Sequence, residues 1–295
     1  ETRFTYTLVD ADGATSTATV TVTVTGRNDA PVAVGSIVDQ TSNDSDVVAL
    51  DVSGAFDDAD ATDVLIYSAG TTLPPGLTID VNTGIISGTL DADASVGGPY
   101  LVTITATDSE GAVATQSFIW TVNNPAPVAL DDGFSAGEDD AVAIVGNAIA
   151  NDGDPDGDSL STEVRNGVAG SHGGVFSIDA AGNVTFHANG EFEDLAAGET
   201  RTTSFTYTLR DADGETSTAT VTVTVTGQND APFAVGIITN QTNDDGDPVS
   251  LDVSSAFGDT DTTDALTYDA SGTLPPGLTI DANTGIISGS LDSSA

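Results

Sequence analysis

Closely spaced aspartates are the chemistry this sequence offers. Four stand at alternate positions in NDGDPDGDSL: Asp152, Asp154, Asp156 and Asp158. Asp57, Asp58, Asp60 and Asp63 crowd FDDADATD, and Asp259, Asp261 and Asp264 repeat that spacing later in the chain. A third kind of cluster sits in short turns: Asp10 with Asp12, Asp108 with Glu110, and Asp211 with Asp213. Alternating side chains converge once the backbone turns. Carboxylates packed this closely repel one another unless a cation lies among them. Calcium takes about six to eight hard oxygens from carboxylates, amide and backbone carbonyls, and water. Asp and Gly favour turns with or without a metal, so a single DADG hairpin reads first as a solvated turn. The four-Asp run and the recurrence of the FDDADATD spacing point more strongly to a cation. Neither is an EF-hand, because no Glu stands at the twelfth loop position.

The charge balance sharpens this. The 295 residues carry 46 acidic side chains and 5 basic ones, for a formal net charge of −41. The five cations are Arg3, Arg27, Arg165, Arg201 and Arg210. Salt bridges cannot neutralise such a chain, which leaves solvation by salt or bound divalent cations. Clustering at turns, rather than an even spread along the chain, favours the cations. The same charge argues against nucleic acid, which needs cations to displace its counterions, and against anionic membrane surfaces. No apolar run approaches the roughly 20 residues of a membrane span. Cysteine is absent, which removes disulfides, thiol catalysis and cysteine-based zinc sites. His172 and His187 have no third ligand nearby, and no serine sits in a Gly-x-Ser-x-Gly elbow. Every acidic cluster falls in a repeat-related turn, which a glycosidase carboxylate pair would not need.

The elements that position these turns are strands in a repeating unit. FTYTLVDADGATSTATVTVTVTGRNDAP from Phe4 returns almost unchanged from Phe205, an offset that holds through Gln40 and Gln241, Phe56 and Phe257, and LPPGLTID from Leu73 and Leu274. NDAP at Asn28–Pro31, NNPAP at Asn123–Pro127 and NDAP at Asn229–Pro232 divide the chain at 1–28, 29–124, 125–229 and 230–295. Within each module the pattern has period two. Ala219, Val221, Val223 and Val225 alternate with threonines, as do Val102, Ile104 and Ala106, while Phe118, Trp120 and Val122 form a further inward face. Asp-Gly turns between such runs read as hairpins. The class is all-β, as Ig-like Greek-key β-sandwiches in tandem.

Residues 29–124, through AFDDADATDVLIYSA, LPPGLTIDVNTGIISGTL and YLVTITATDSEGAVATQSFIWTV, resemble the dystroglycan-type cadherin-like, or Ig-like, domain of bacterial surface proteins. Residues 125–229, through APVALDDGFSAGEDDAVAIVGNAIANDGDPDGDSL, resemble the VCBS-type cadherin-like repeat. Residues 1–28 then read as the last strands of another VCBS-type module, and 230–295 as the opening of a second dystroglycan-type module. The resemblance implies an elongated tandem array, an extracellular location at the bacterial surface, giant RTX-type adhesins as parents, and Ca2+ between modules. It also implies ligand roles. Asn28 and Asp29 match the family's linker, with Asp230 in the later copy. Asp58 and Asp60, and again Asp259 and Asp261, match its Asp-x-Asp loop, and Asp108 its later aspartate. In the next module Glu138 matches the first-strand acid. Asp154, Asp156 and Asp158 match the loop, with Asp152 preceding them, and Asp211 the later aspartate, with Asp213 in the same turn. The linker Asn123–Asn124 departs from the family's Asn-Asp.

Three functions remain open on these grounds. The leading one is a non-catalytic, calcium-stiffened extender or stalk of an adhesin or fibre, serving cell adhesion and biofilm. The others are a carbohydrate-binding module, which an aromatic content of only 5% disfavours, and an accessory region of a secreted hydrolase. The partners expected are calcium and neighbouring modules. Residues 230–295 match only 29–94, so an open apolar groove is expected there. A longer tandem array would complete it, or strand donation from a neighbouring chain in a fibre.

Overall fold

A computed structural model describes residues 1–292; the last three positions of the expected segment 230–295 lie outside the described residues. Among the described residues its regular structure is strand, apart from three single-turn 3-10 segments. Among the described residues no helix is long and apolar enough to cross a membrane. The chain forms two compact units, residues 1–124 and 125–295.

In the first unit, strands Thr2–Val9 and Thr15–Val22 form a hairpin. Residues 29–124 then build a two-sheet module. One sheet runs Gln40–Asn43, Val113–Asn123, Tyr100–Thr107, Ile66–Ala69 in spatial order, and the other Val47–Asp51, Ile85–Thr89, Leu77–Ile79. The alternation seen in the sequence places Val102, Ile104, Ala106, Phe118, Trp120 and Val122 in one core with Val52, Phe56, Tyr67 and Ile86. Within its sheet the earliest strand pairs in parallel with the last, Asn43 opposite Asn123, while the short strand Val32–Ala33 pairs separately with Phe56–Asp57.

The second unit opens with a module of the same plan. Asp132–Gly137, Thr216–Thr226, Thr200–Arg210 and Ser161–Thr162 form one sheet, and Ala143–Asn147, Asn183–His187, Val175–Ile178 and Arg165–Ala169 the other. Phe205, Tyr207 and Leu209 meet Val221, Val223 and Val225 in its core. Here too the first strand lies parallel to the last, Asp132 opposite Val221.

Residues 230–292 repeat the opening of the first module: Pro248–Asp252, Ile286–Ser290 and Leu278–Ile280 form a sheet in the register of its counterpart. A cavity of about 440 Å³ lies open over Phe233, Val253, Phe257, Tyr268 and Ile287. The counterparts of four of these, Val52, Phe56, Tyr67 and Ile86, are buried beneath Val102, Ile104 and Trp120 in the complete module. The expected groove is thus present.

Candidate metal centres at the linkers

In the first unit three segments converge on the linker. The hairpin turn after strand Tyr100–Thr107 is built by Asp108, whose Oδ1 accepts from the backbone N–H groups of Glu110 (3.0 Å) and Ala112 (2.8 Å). This fixes the side chain, which is only 4% exposed. Its Oδ2 accepts from the amide of Asn28 at 2.9 Å, and that bond holds the carboxyl below the usual carboxylate range. The FDDADATD loop turns in the same manner: Asp58 Oδ1 accepts from the N–H of Asp60 at 2.8 Å. Asp60 Oδ2 in turn accepts from the N–H of Asp29 at 2.8 Å. Asp58, Asp63 and Asp108 each bring one oxygen within 4.8 Å of the others'. Oδ2 of Asp58 and Oδ2 of Asp63 are buried without a hydrogen-bond partner. Orphaned buried carboxylate oxygens are costly, and three carboxylates this close repel. An all-oxygen donor set of this kind fits a hard cation such as calcium. Asp63, crowded into the loop by sequence, emerges as a member of the group.

Among the described residues, the joint between 125–229 and 230–292 repeats the linker-to-loop bonds but not the three-carboxylate group. The N–H of Asp230 donates to Asp261 Oδ2 at 2.9 Å, and the N–H of Asp261 to Asp259 Oδ1 at 3.1 Å. Asp261 is 1% exposed, and its Oδ1 is buried without a partner. Glu138, 4% exposed, directly follows strand Asp132–Gly137 of the preceding module. Its N–H donates to Thr226 O, its Oε1 accepts from the N–H of Gln228, and its Oε2 is buried without a partner. Burial pushes the Glu138 carboxyl up against the Gln228 bond, and the charges of Glu193, Asp139 and Asp230 push it further. Glu193 is raised by burial and then by Asp230, Asp139 and Asp261. Glu193 thus shares a field with Glu138, Asp230 and Asp261, and both Glu138 and Glu193 feel Asp139.

Sequence reasoning missed Glu193 and Asp139. It also missed Asp44, the counterpart of Glu138 in module 29–124. The Asp44 N–H donates to Asn123 O as that of Glu138 does to Thr226 O. Asp44 is 3% exposed with a partnerless Oδ2. The parallel pairing of first and last strands equates the two positions. Local spacing does not show that pairing.

The NDGDPDGDSL run divides. Asp154 Oδ1 accepts from the N–H groups of Asp156 (3.1 Å) and Asp158 (3.4 Å), and its Oδ2 is buried and partnerless. Burial, a hydrogen bond with Asp154 and the charges of Asp154 and Asp158 push Asp156 up to about 7. Asp152 instead faces the module core. Its carboxylate accepts from the N–H of Leu130 at 2.8 Å and from the fully buried Tyr207 hydroxyl at 2.9 Å. Burial and the Asp152 charge push neighbouring Asp132 up to about 6. Asp211 is buried and organises its own turn, accepting from the N–H groups of Gly214 (2.6 Å) and Glu215 (2.9 Å), while Asp213 is exposed.

Two family models match the chain. Residues 124–227 match the bacterial cadherin-like domain, and residues 30–123 and 231–295 match the Putative Ig domain. No curated protein matches the chain. Among solved structures, the protocadherin gammaB4 extracellular domain is similar at TM-score 0.43 and 17% identity, over 98% of this chain and 51% of that one. Drosophila N-cadherin EC1-4 is similar at TM-score 0.43 and 15% identity, over 99% and 75%. Mouse cadherin-23 EC22-24 is similar at TM-score 0.39 and 18% identity, over 76% and 74%. The chain spans about half the length of the protocadherin ectodomain. With two matching segments that together make up more than half of its residues, the chain belongs to the Putative Ig domain family, carrying a bacterial cadherin-like domain between its two copies.

Proposed function

We propose that this chain is a non-catalytic, calcium-stiffened extender segment of a large secreted bacterial surface adhesin of the RTX type, serving cell adhesion and biofilm. One observation carries the reading. The loops that hold the linker by hydrogen bonds, at Asp60 to Asp29 and Asp261 to Asp230, also hold buried carboxylate oxygens without partners, on Asp58, Asp63 and Asp261.

Asp58, Asp63 and Asp108, with Asn28 and Asp60 beside them, would hold one ion, and Glu138, Glu193, Asp230, Asp259 and Asp261 another. Asp154, Asp156 and Asp158 would serve the start of module 125–229. Bound calcium supplies positive charge and a multi-oxygen anchor. The chain's own residues do the rest. Asp108 and Asp58 pre-turn their loops by accepting backbone N–H groups. Asn28 and Asp29 bring the linker onto them. The stiffness of the joint then follows from how many of these contacts are held at once.

The test is a thermal melt of the full chain in about 1 mM calcium and in excess chelator, at moderate salt. A ligand that binds only the folded form stabilises it by mass action. Extracellular calcium modules bind at roughly 10⁻⁴ to 10⁻³ M, so a site at the tight end gains about 1.4 kcal/mol. Coincident melts would sink the calcium reading.

A further inference from the structure

The joint between 125–229 and 230–292 holds a second set of contacts that uses no carboxylate oxygen of the candidate cation centre. The loop Phe192–Glu199 reaches the Asp-x-Asp loop of the following module. The main-chain carbonyl of Asp194 accepts from the N–H (3.4 Å) and the hydroxyl (3.2 Å) of Thr262. The hydroxyl of Thr263 donates to Glu199 Oε1 at 2.9 Å.

This loop is braced from behind. Arg201 grips both oxygens of Asp194, Nη1 to Oδ1 at 3.0 Å and Nη2 to Oδ2 at 2.6 Å. Its guanidinium also lies 5.7 Å from the centre of the buried Phe192 ring. A two-point guanidinium–carboxylate pair fixes orientation as well as distance. Of the two ion pairs among the described residues this is the less exposed, the other being Arg3 with Glu1. The same loop is tied to the start of the linker. The N–H of Gly198 donates to Gly227 O at 3.1 Å, and the N–H of Gly227 to Glu199 O at 2.8 Å. The repeat adds an independent sign. At the 201-residue offset Thr262 corresponds to Ala61, while Thr263 corresponds to Thr62, so the hydroxyl that meets Asp194 is a departure within two otherwise similar loops.

We propose that the Phe192–Glu199 loop is a cation-independent clasp on Thr262 and Thr263, with Arg201 as its positioning residue, so that chelation loosens this joint only in part. The clasp acts at the joint the calcium reading concerns, and rests on that reading only for its reference state.

The absence of cysteine in the full chain allows a clean test. Spin labels on Asn166→Cys and Thr279→Cys, both exposed positions in different modules, report the joint by double electron–electron resonance in about 1 mM calcium and in excess chelator. In chelator, adding Thr262→Ala with Thr263→Ala should broaden the distance distribution to about twice the width of the labelled parent, because both bridging hydroxyl bonds are lost and only the N–H bond to Asp194 O remains. Arg201→Lys, which keeps the charge and loses the fork, should broaden it in the same direction. Melting temperature, followed in parallel, should stay within about 2 °C of the parent for the threonine pair, whose positions are exposed. An unchanged width for the threonine pair in chelator overturns the clasp, and an unchanged width for Arg201→Lys overturns the positioning role. If calcium alters no distribution, the calcium reading fails separately, and the chelator comparison still decides the clasp.

Discussion

The backbone N–H of Asp230 donates to Oδ2 of Asp261 at 2.9 Å, and 201 residues earlier that of Asp29 donates to Oδ2 of Asp60 at 2.8 Å. One carboxylate oxygen thus anchors the linker while the rest of the loop gathers buried acid. At the later joint the same residue does both, since Asp261 Oδ1 is buried and without a partner.

These two roles are separable by mutation. Asp261→Asn keeps an acceptor for Asp230 and removes a charge. It should melt in chelator at or above the parent and lose the increment of about 1.4 kcal/mol that calcium gives at that site. Asp261→Ala should lose the increment and also fall below the parent in chelator, by roughly 1 kcal/mol for the missing linker bond. Calorimetry in both conditions checks the pair.

Protons should compete with calcium. Glu138 and Glu193 are held above the usual carboxylate range, and Asp156 at about 7. Acids raised in the folded state contribute stability that is fully present below their unfolded pKa and is lost as pH rises through the folded value. Asp108, Asp80 and Asp179 are lowered, and their contribution is lost only below about pH 4. Between pH 7 and pH 5 the raised acids set the sign. The melting temperature in chelator should rise on acidification while the calcium-dependent increment shrinks, because ligand oxygens must be deprotonated. Melts at pH 5, 6 and 7 measure this, and an increment constant across the series would contradict it.

Asp152 and Asp154 should behave oppositely, although they are two residues apart in one acidic run. Tyr207→Phe removes the hydroxyl that Asp152 accepts and should cost about 1–3 kcal/mol of stability in module 125–229, with the calcium increment intact. Asp154→Asn, which keeps the acceptor for the N–H groups of Asp156 and Asp158, should leave the chelator melt near the parent's and reduce the increment. Paired melts of the two variants, with and without calcium, distinguish core from cation ligand.

Gly227 tests how tightly the linker is docked. A Cβ there would stand 2.4 Å from Leu195 O and 2.5 Å from Ala196 O, too near for backbone atoms that cannot step aside. Gly227→Ala should destabilise the chain by about 1–3 kcal/mol with or without calcium. Chemical denaturation in both states would show it.

The sequence by itself determined the strands, the repeat and the principal acidic loops. Period-two alternation is a local property, so Val102, Ile104 and Trp120 could be placed in a core, and the 201-residue offset could be read, without coordinates. The turns were legible for the same reason: Asp108 and Asp58 fold back on N–H groups within four residues of themselves. Only the tertiary structure decided which carboxylates converge. Glu193 comes into the field of Glu138 across 55 residues of sequence, and Asp44 takes Glu138's place in the other module because the earliest strand of that sheet pairs in parallel with the last. That pairing is set by sheet closure and leaves no local spacing to read. The even spacing of Asp152 and Asp154 likewise concealed a division, because the backbone at Gly153 is bridged to Val128 and sends one carboxylate to Tyr207 and leaves the other in the loop. Long-range packing, rather than composition, sorted chemically identical side chains into structural anchors and candidate cation ligands.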